Sequence, residues 1–253
     1  MTLSTFPKLA ALSLVLSAPA ALASPLLQDD ASDEAYEADS DDSSSSEMGP
    51  GFSLGLRAGY GLPFGNAVGG EDGADGEKLS DTVSSVIPLQ LDVGYFLSSN
   101  LYLGGSFQYG IASLANGDEA CEGDGLSCSV TQMRFGVNLA YHFAPESTIN
   151  PWMGVGVGYE TLTLSLSGET NDISVEAHST AKGFEFANAQ GGIDFRVSDT
   201  LSVGPFVTVT VAQYASTSTR VEAGDESEED SSDIENKAIH GWVYGGLRLQ
   251  ARF

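Results

Sequence analysis

Basic residues are scarce in this chain of 253 residues: 10 Lys and Arg stand against 35 Asp and Glu, for a net charge of −25. Phosphate binding draws on positive charge, so this balance excludes nucleic acid as a partner. Long apolar runs are also missing. Beyond residue 23 no stretch approaches the roughly 18 consecutive apolar residues of a membrane-crossing helix. Histidine occurs only as His142, His178 and His240, and no Ser–His–acid set falls together along the sequence pattern, so no enzyme is expected. Cysteine occurs twice, as Cys121 and Cys128, with no His nearby, which is too few ligands for a metal site.

The N-terminus supplies what the interior lacks. Residues 9–23 form an apolar run after Lys8, broken by Ser13, Ser17 and Pro19 and ending in Ala21-Leu22-Ala23 before Ser24. This is a secretory signal peptide over residues 1–23, too short to span a bilayer. No Cys follows the cleavage point, which rules out a lipoprotein. In an exported chain the close pair Cys121 and Cys128 reads as a disulfide. Acids then concentrate in two places, nine of them over residues 29–47 and eight over 222–235. Residues 24–50, rich in Asp, Glu and Ser, cannot bury enough apolar surface to fold and are expected to be a disordered acidic segment. The acidic stretches 71–77 and 222–235 offer oxygen ligands, but their spacing is not that of an EF-hand loop. They read as solvated, self-repelling loops, with Ca²⁺ binding as the alternative.

From residue 52 to the end, one pattern repeats. In the last stretch, Phe253, Ala251, Leu249, Leu247, Gly245, Val243, Gly241 and Ile239 form one phase; Arg252, Gln250, Arg248, Gly246, Tyr244, Trp242 and His240 form the other. Period-two alternation marks a strand with one oily and one polar face. Seven earlier segments alternate in the same way, over residues 52–64, 86–97, 101–112, 130–143, from 152 to about 166, 183–197 and 201–214. The fifth segment changes phase: Met153, Val155 and Val157 precede Leu162, Leu164 and Leu166, which predicts a bulge near Thr161 or a strand tip clear of the membrane. Pro205, inside the seventh segment, also predicts a bulge or a strand end. Tight turns at 98–100 and 198–200 and a Pro-bounded turn at 144–151 alternate with long connections, including 167–182 and 217–237. Aromatics gather near strand ends: Phe52, Tyr95, Tyr141, Phe143, Phe195 and Phe253 at one rim, Phe64, Tyr109 and Tyr159 toward the other.

Eight strands, alternating long and short connections, rim aromatics and a terminal Phe253 give the span 51–253 its identity: it resembles the small eight-stranded outer-membrane β-barrels of the OmpA- and OmpX-like type. The resemblance implies an all-β, antiparallel, up-and-down transmembrane barrel in the outer membrane of a Gram-negative bacterium, with both barrel ends periplasmic and long loops outside. It further implies contact with outer-membrane lipid, and recognition by the barrel-assembly machinery through the C-terminal strand with Phe253 as the assembly signal. The peptidoglycan-binding domain that often follows such a barrel is not expected here. A soluble eight-stranded barrel such as a lipocalin would turn apolar residues inward, whereas here the inward phase holds Arg, Asp, Gln and Gly.

The inward charges are the candidate site. Arg57, Arg134, Arg196, Arg248 and Arg252 all fall on the polar phase. Counting from the turns places Arg134 beside Glu160, Arg57 and Arg248 level with Asp92, and Asp194 on one face with Arg196. A lumen only wide enough for side chains would then be plugged by charge pairs. The expected function is a closed barrel with a structural or surface-interaction role carried by acidic extracellular loops and an extracellular ligand unknown; the alternative is a small-solute channel or transporter. No cofactor is expected.

Overall fold

The computed structural model describes residues 49–70, 76–115, 127–170, 173–223 and 226–253. The signal peptide, the acidic segment as far as residue 48, Cys121 and the acids of 71–75 lie outside these residues. In chain order the elements are β1 (Gly51–Val68), β2 (Glu77–Lys78), α1 (Leu79–Thr82), β3 (Val83–Phe96), β4 (Leu101–Leu114), β5 (Ser127–His142), β6 (Ile149–Thr170), β7 (Ile173–Arg196), β8 (Leu201–Ala223), β9 (Glu226–Asp233) and β10 (His240–Arg252). No helix among the described residues is long and apolar enough to cross a membrane.

Eight long strands form one antiparallel sheet in the order β10-β1-β3-β4-β5-β6-β7-β8, and β10 also pairs with β8. The ring is therefore closed, with Ser53 opposite Arg252 at one end of the seam and Gly65 opposite His240 at the other. Closure removes every sheet edge within the wall, as a bilayer requires, because lipid offers no partner to a free N–H or C=O. The alternation sets the two faces. Phe52, Leu54, Leu56, Leu89, Leu91, Val137, Leu139, Val155, Val207 and Leu247 all stand exposed on the outside, while Arg57, Asp92, Arg134, Glu160, Asp194 and Arg248 are buried inside. An apolar outer belt over a charged interior is the inverse of a soluble protein and fits a chain whose solvent is lipid.

Short turns link β3 to β4, β5 to β6 and β7 to β8 at one rim, where β1 starts and β10 ends. There Arg252 reaches the Ser99 carbonyl at 3.0 Å and also takes the Gly49 carbonyl, fixing the chain's entry into the wall to the first turn. At the far rim β6, β7 and β8 run 22, 24 and 23 residues, well past the roughly 9–11 that cross a tilted bilayer path. The connections expected at 167–182 and 217–237 are thus largely strand: β6 and β7 pair continuously from Thr161–Lys182 up to Thr170–Ile173, and β9 adds to β8. These segments were not legible as strands because both their faces meet water, so apolar alternation disappears.

Of the two readings of the β6 phase change, the bulge is excluded and the strand tip continuing past the membrane remains; the Pro205 irregularity is also of another kind. β5 and β6 pair without interruption from Ser127–Ser167 to His142–Trp152, so no bulge occurs near Thr161. The phase is unbroken, and Leu162 turns inward, buried above the lumen. One bulge lies on β7, where the register slips against both neighbours between Glu185 and Asn188, and a second shift lies on β8, where Gly183–Tyr214 is followed by Lys182–Ser216. At the β7 bulge Phe186 and Ala187 both face outward, with Glu185 and Asn188 both buried. Pro205 needs no bulge either. The β7–β8 ladder lapses between Gly192–Phe206 and Phe195–Val203 with the register unchanged, so the missing N–H meets no partner carbonyl.

Glycines shape the interior where large side chains must lie flat. The Tyr102 ring lies over Gly94 and Gly104; a methyl group at Gly104 would come within 2.1 Å of the tyrosine oxygen. Gly65, with φ of 79°, sits in the left-handed region where β1 leaves the seam.

Candidate functional site

The lumen is filled in layers. At the short-turn rim, His142 stacks on Trp152 with ring centres 6.1 Å apart and meets the Phe96 edge at 5.0 Å. Its tautomer follows from its neighbours. The Asn150 side-chain oxygen accepts the Ala144 N–H at 3.1 Å, which turns the Asn150 amide nitrogen toward His142 Nδ1 at 2.9 Å. Nδ1 is then an acceptor, and the ring proton of the neutral histidine sits on Nε2.

The next layer carries the first charges. Arg57 donates to Asp92 at 2.6 Å and to Gln190 at 2.6 Å, and Gln90 adds a bond to Asp92 at 2.8 Å. Arg248 stands directly opposite Arg57 in the β1–β10 register yet turns to Asp194, at 3.5 Å, with its guanidinium 4.3 Å from the centre of the Trp152 ring. Two arginines side by side thus take separate carboxylates, one from β3 and one from β7, which holds down their mutual repulsion. The Arg57–Asp92 pair agrees with the sequence reading. The Asp194–Arg196 pair does not: both face inward on β7, but Asp194 meets Arg248 and Arg196 donates to the Pro145 carbonyl at the rim.

Above it, Arg134 is held by Glu185, with the Nε contact at 2.8 Å, and by Gln108 at 2.9 Å. This corrects the expected Arg134–Glu160 pair. The two are register partners across β5 and β6, but the guanidinium extends across the lumen to β7 rather than sideways. Glu185 itself was missed because it occupies the phase of Ala187 and Ala189, which is oily; the β7 bulge returns it to the lumen. The signal was present in Phe184 and Phe186, which are apolar at even positions just before the apolar positions become odd. Asn188 donates to Glu185 at 2.7 Å, and Gln190, the partner of Arg57, donates to Asn138 at 3.0 Å and to Asn188 at 3.5 Å, so the arginine layers join in one polar network.

Glu160 belongs to a third layer. One of its oxygens accepts from Tyr214 at 2.6 Å, His240 at 3.0 Å and the Trp242 indole at 3.2 Å. Tyr214 and His240 stack at 4.0 Å. Over this cluster Leu79 of α1, Val83, Val86, Val130 and Leu162 close the outer end with an apolar cap. Two cavities at mid-height have about 10 Å³ each, at the lower limit for a single water. A polar recess of about 40 Å³ opens beside His142, Asp194 and Gln250 at the short-turn rim.

The outer hairpins bring one further set together. Ser165 lies 2.8 Å from His178 Nδ1, and Glu176 lies 3.7 Å from the other ring nitrogen. The sequence reading left His178 in a loop and saw no such set. Ser165 is in the middle of β6 and paired on both sides, to Ser129 and to His178, so its flanking N–H groups belong to ladders and none is aimed at an oxyanion. The set is a surface hydrogen-bond chain on an open face. The described residues gather no group of three His, Cys, Asp or Glu able to hold a metal.

No family model matches the sequence, and no curated protein matches it. Solved structures do. A major outer membrane protein from Thermus thermophilus is 15% identical with a TM-score of 0.51, covering 81% of this chain and 99% of its own. Neisserial surface protein A is 11% identical with a TM-score of 0.48 and the same coverages, and OprG from Pseudomonas aeruginosa is 16% identical with a TM-score of 0.41, covering 82% and 98%. Of these three, the Thermus protein agrees closely enough in backbone to bear on the fold. Together with the closed ring and its apolar belt, it identifies this chain as an eight-stranded outer-membrane β-barrel.

Proposed function

We propose that the protein is a closed outer-membrane barrel that acts through the sheet it raises beyond the membrane, in a structural or surface-interaction role. The observation that carries this reading is the pairing in the lumen. Arg57, Arg134 and Arg248 each face a carboxylate from another strand, and the cavities that Arg57 lines beside them hold about 10 Å³ each. Ions crossing such a lumen would have to break buried pairs, each strongly destabilising to open. The outer sheet is the surface left to work with, and it ends in the exposed acidic strand β9 with Glu228, Glu229 and Asp230.

The channel reading has one support of its own, the recess at the short-turn rim. Of the residues lining it, His142 and Asp194 each bury a polar side-chain atom, Nε2 and Oδ1, that makes no hydrogen bond to the protein, as groups facing bound water would. Neither Arg57 nor Asp92 lines the recess, however, so it does not reach through their layer. Planar-bilayer recording on the refolded protein separates the two readings. A closed barrel gives no stable unitary current, whereas steady ohmic conductance would reject the proposal in favour of the channel.

A further inference from the structure

The outward face of the wall changes its chemistry abruptly. Across β5, β6 and β7 the outermost aromatic row is Phe135–Tyr159–Phe184, with Tyr159 and Phe184 in edge contact at 5.4 Å. Aromatic rings at this level mark the boundary between hydrocarbon and headgroups. Two residues further out the row reads Met133–Thr161–Lys182–Ser216–Asp233. The next is hydroxyl on all five strands: Thr131–Thr163–Thr180–Ser218–Ser231. Then comes Ser129–Ser165–His178–Arg220–Glu229. On β5, β6 and β7 these residues keep the strand phase that faces lipid below; on β8 a register shift between Tyr214 and Ser216 brings Ser216, Ser218 and Arg220 onto the same face, and β9 extends the rows beyond the wall.

The height of this hydroxyl face decides what can cover it. Six residues along a strand tilted about 40° rise roughly 15 Å above the aromatic row. Each step to a neighbouring strand adds about 3 Å, because ladder rows run perpendicular to tilted strands. The climb is visible in the hydroxyl row itself, which on β3 and β4 continues as Ile87 and Ile111, both exposed and apolar. A phospholipid headgroup layer is only about 5–8 Å deep. The face is deeper than that, dense in groups that both donate and accept, and sparing in positive charge, with Lys182, His178 and Arg220 offset by Glu176, Glu222 and Glu229.

We propose that this hydroxyl face is a docking surface for the saccharide headgroups of glycolipids in the outer leaflet, recognised through sugar hydroxyls rather than phosphate. Sugars and serine or threonine hydroxyls satisfy one another in both hydrogen-bonding directions. Several such bonds side by side on a rigid sheet would hold a ring of lipid around β5 to β9. The inference requires the barrel to lie in the membrane with these hairpins outside, but not a closed lumen, so the conductance result leaves it untouched.

The test uses the full mature protein in phosphatidylcholine vesicles carrying digalactosyl diacylglycerol, lipopolysaccharide or phosphatidylglycerol, with amide hydrogen exchange read on residues 161–182 and 214–233. Exchange there should slow roughly tenfold with either sugar-bearing lipid and stay unchanged with phosphatidylglycerol. The variant T163V/T180V/S218A, which keeps side-chain shape, should lose that protection. S179A/T219A, on the opposite face of the same hairpins, should keep it. Equal protection by phosphatidylglycerol, protection that survives T163V/T180V/S218A, or no protection by either glycolipid in a folded barrel would each overturn the proposal. Failure of the wild-type chain to insert would overturn it together with the barrel reading.

Discussion

Arg134 is the side chain on which the lumen depends most, and its partner decides what its loss does. Glu185 is 3% exposed and keeps Asn188 as its other contact, so Arg134→Ala leaves a carboxylate stranded in the barrel. The expected loss is about 3–5 kcal/mol in a urea titration of the vesicle-folded protein. The double variant Arg134→Met/Glu185→Met, which removes both charges, should recover most of it. A single variant no worse than the double would show that the pair is not carrying the layer. At this scale the sequence was partly legible. The inward phase of all five arginines and the Arg57–Asp92 pair followed from counting along strands. Which acid Arg134 reaches did not, because counting gives ladder neighbours, while a long guanidinium spans the lumen to a strand two places away.

Among the elements, β7 tells most about what a pattern can hide. Its bulge adds one residue, so deleting Phe186 leaves Glu185 and Asn188 inward and both ladders in step. The shortened strand should still fold to a heat-modifiable barrel on gels. Deleting Ala189 instead puts the residues between it and the bulge out of phase and should abolish folding; equal tolerance of both deletions would contradict the assigned bulge. The bridge expected between Cys121 and Cys128 is a prediction at the same scale. Cys128 sits in the outer end of β5. Closing a loop this short is worth about 2.5 kcal/mol of chain entropy, felt locally at the outer end of β5. Because it lies outside the membrane-crossing ladder, reduction should leave the barrel's unfolding midpoint unchanged. Alkylation of the oxidised protein, followed by intact mass, should find no free thiol. The strands were legible wherever one face meets lipid, and they became illegible beyond it, where β6 to β9 are wet on both sides.

For the whole molecule, the apolar belt makes the strongest quantitative statement. Leu139 and Val207 are 43% and 50% exposed, three strands apart in the ring. Arginine at either position should destabilise the folded state by about 2–4 kcal/mol if it falls near the bilayer midplane, measured by unfolding from vesicles. An unchanged midpoint for both would mean that this surface does not face lipid. The eight-strand count and the alternation of short and long connections were readable from sequence because each strand repeats the same two-faced rule.

The seam between β1 and β10 has a consequence in time. Phe253 donates its N–H to the Phe52 carbonyl at 2.8 Å, and the two rings lie 6.4 Å apart. The pairing that shuts the ring therefore joins residues about two hundred positions apart, and loop-closure entropy delays such contacts behind every local hairpin. Until then the growing sheet carries two raw edges, each able to recruit a stranger's strand. Closing this seam is expected to be the last and slowest step of assembly, and the chain's exposure to misassembly to last as long as that step does.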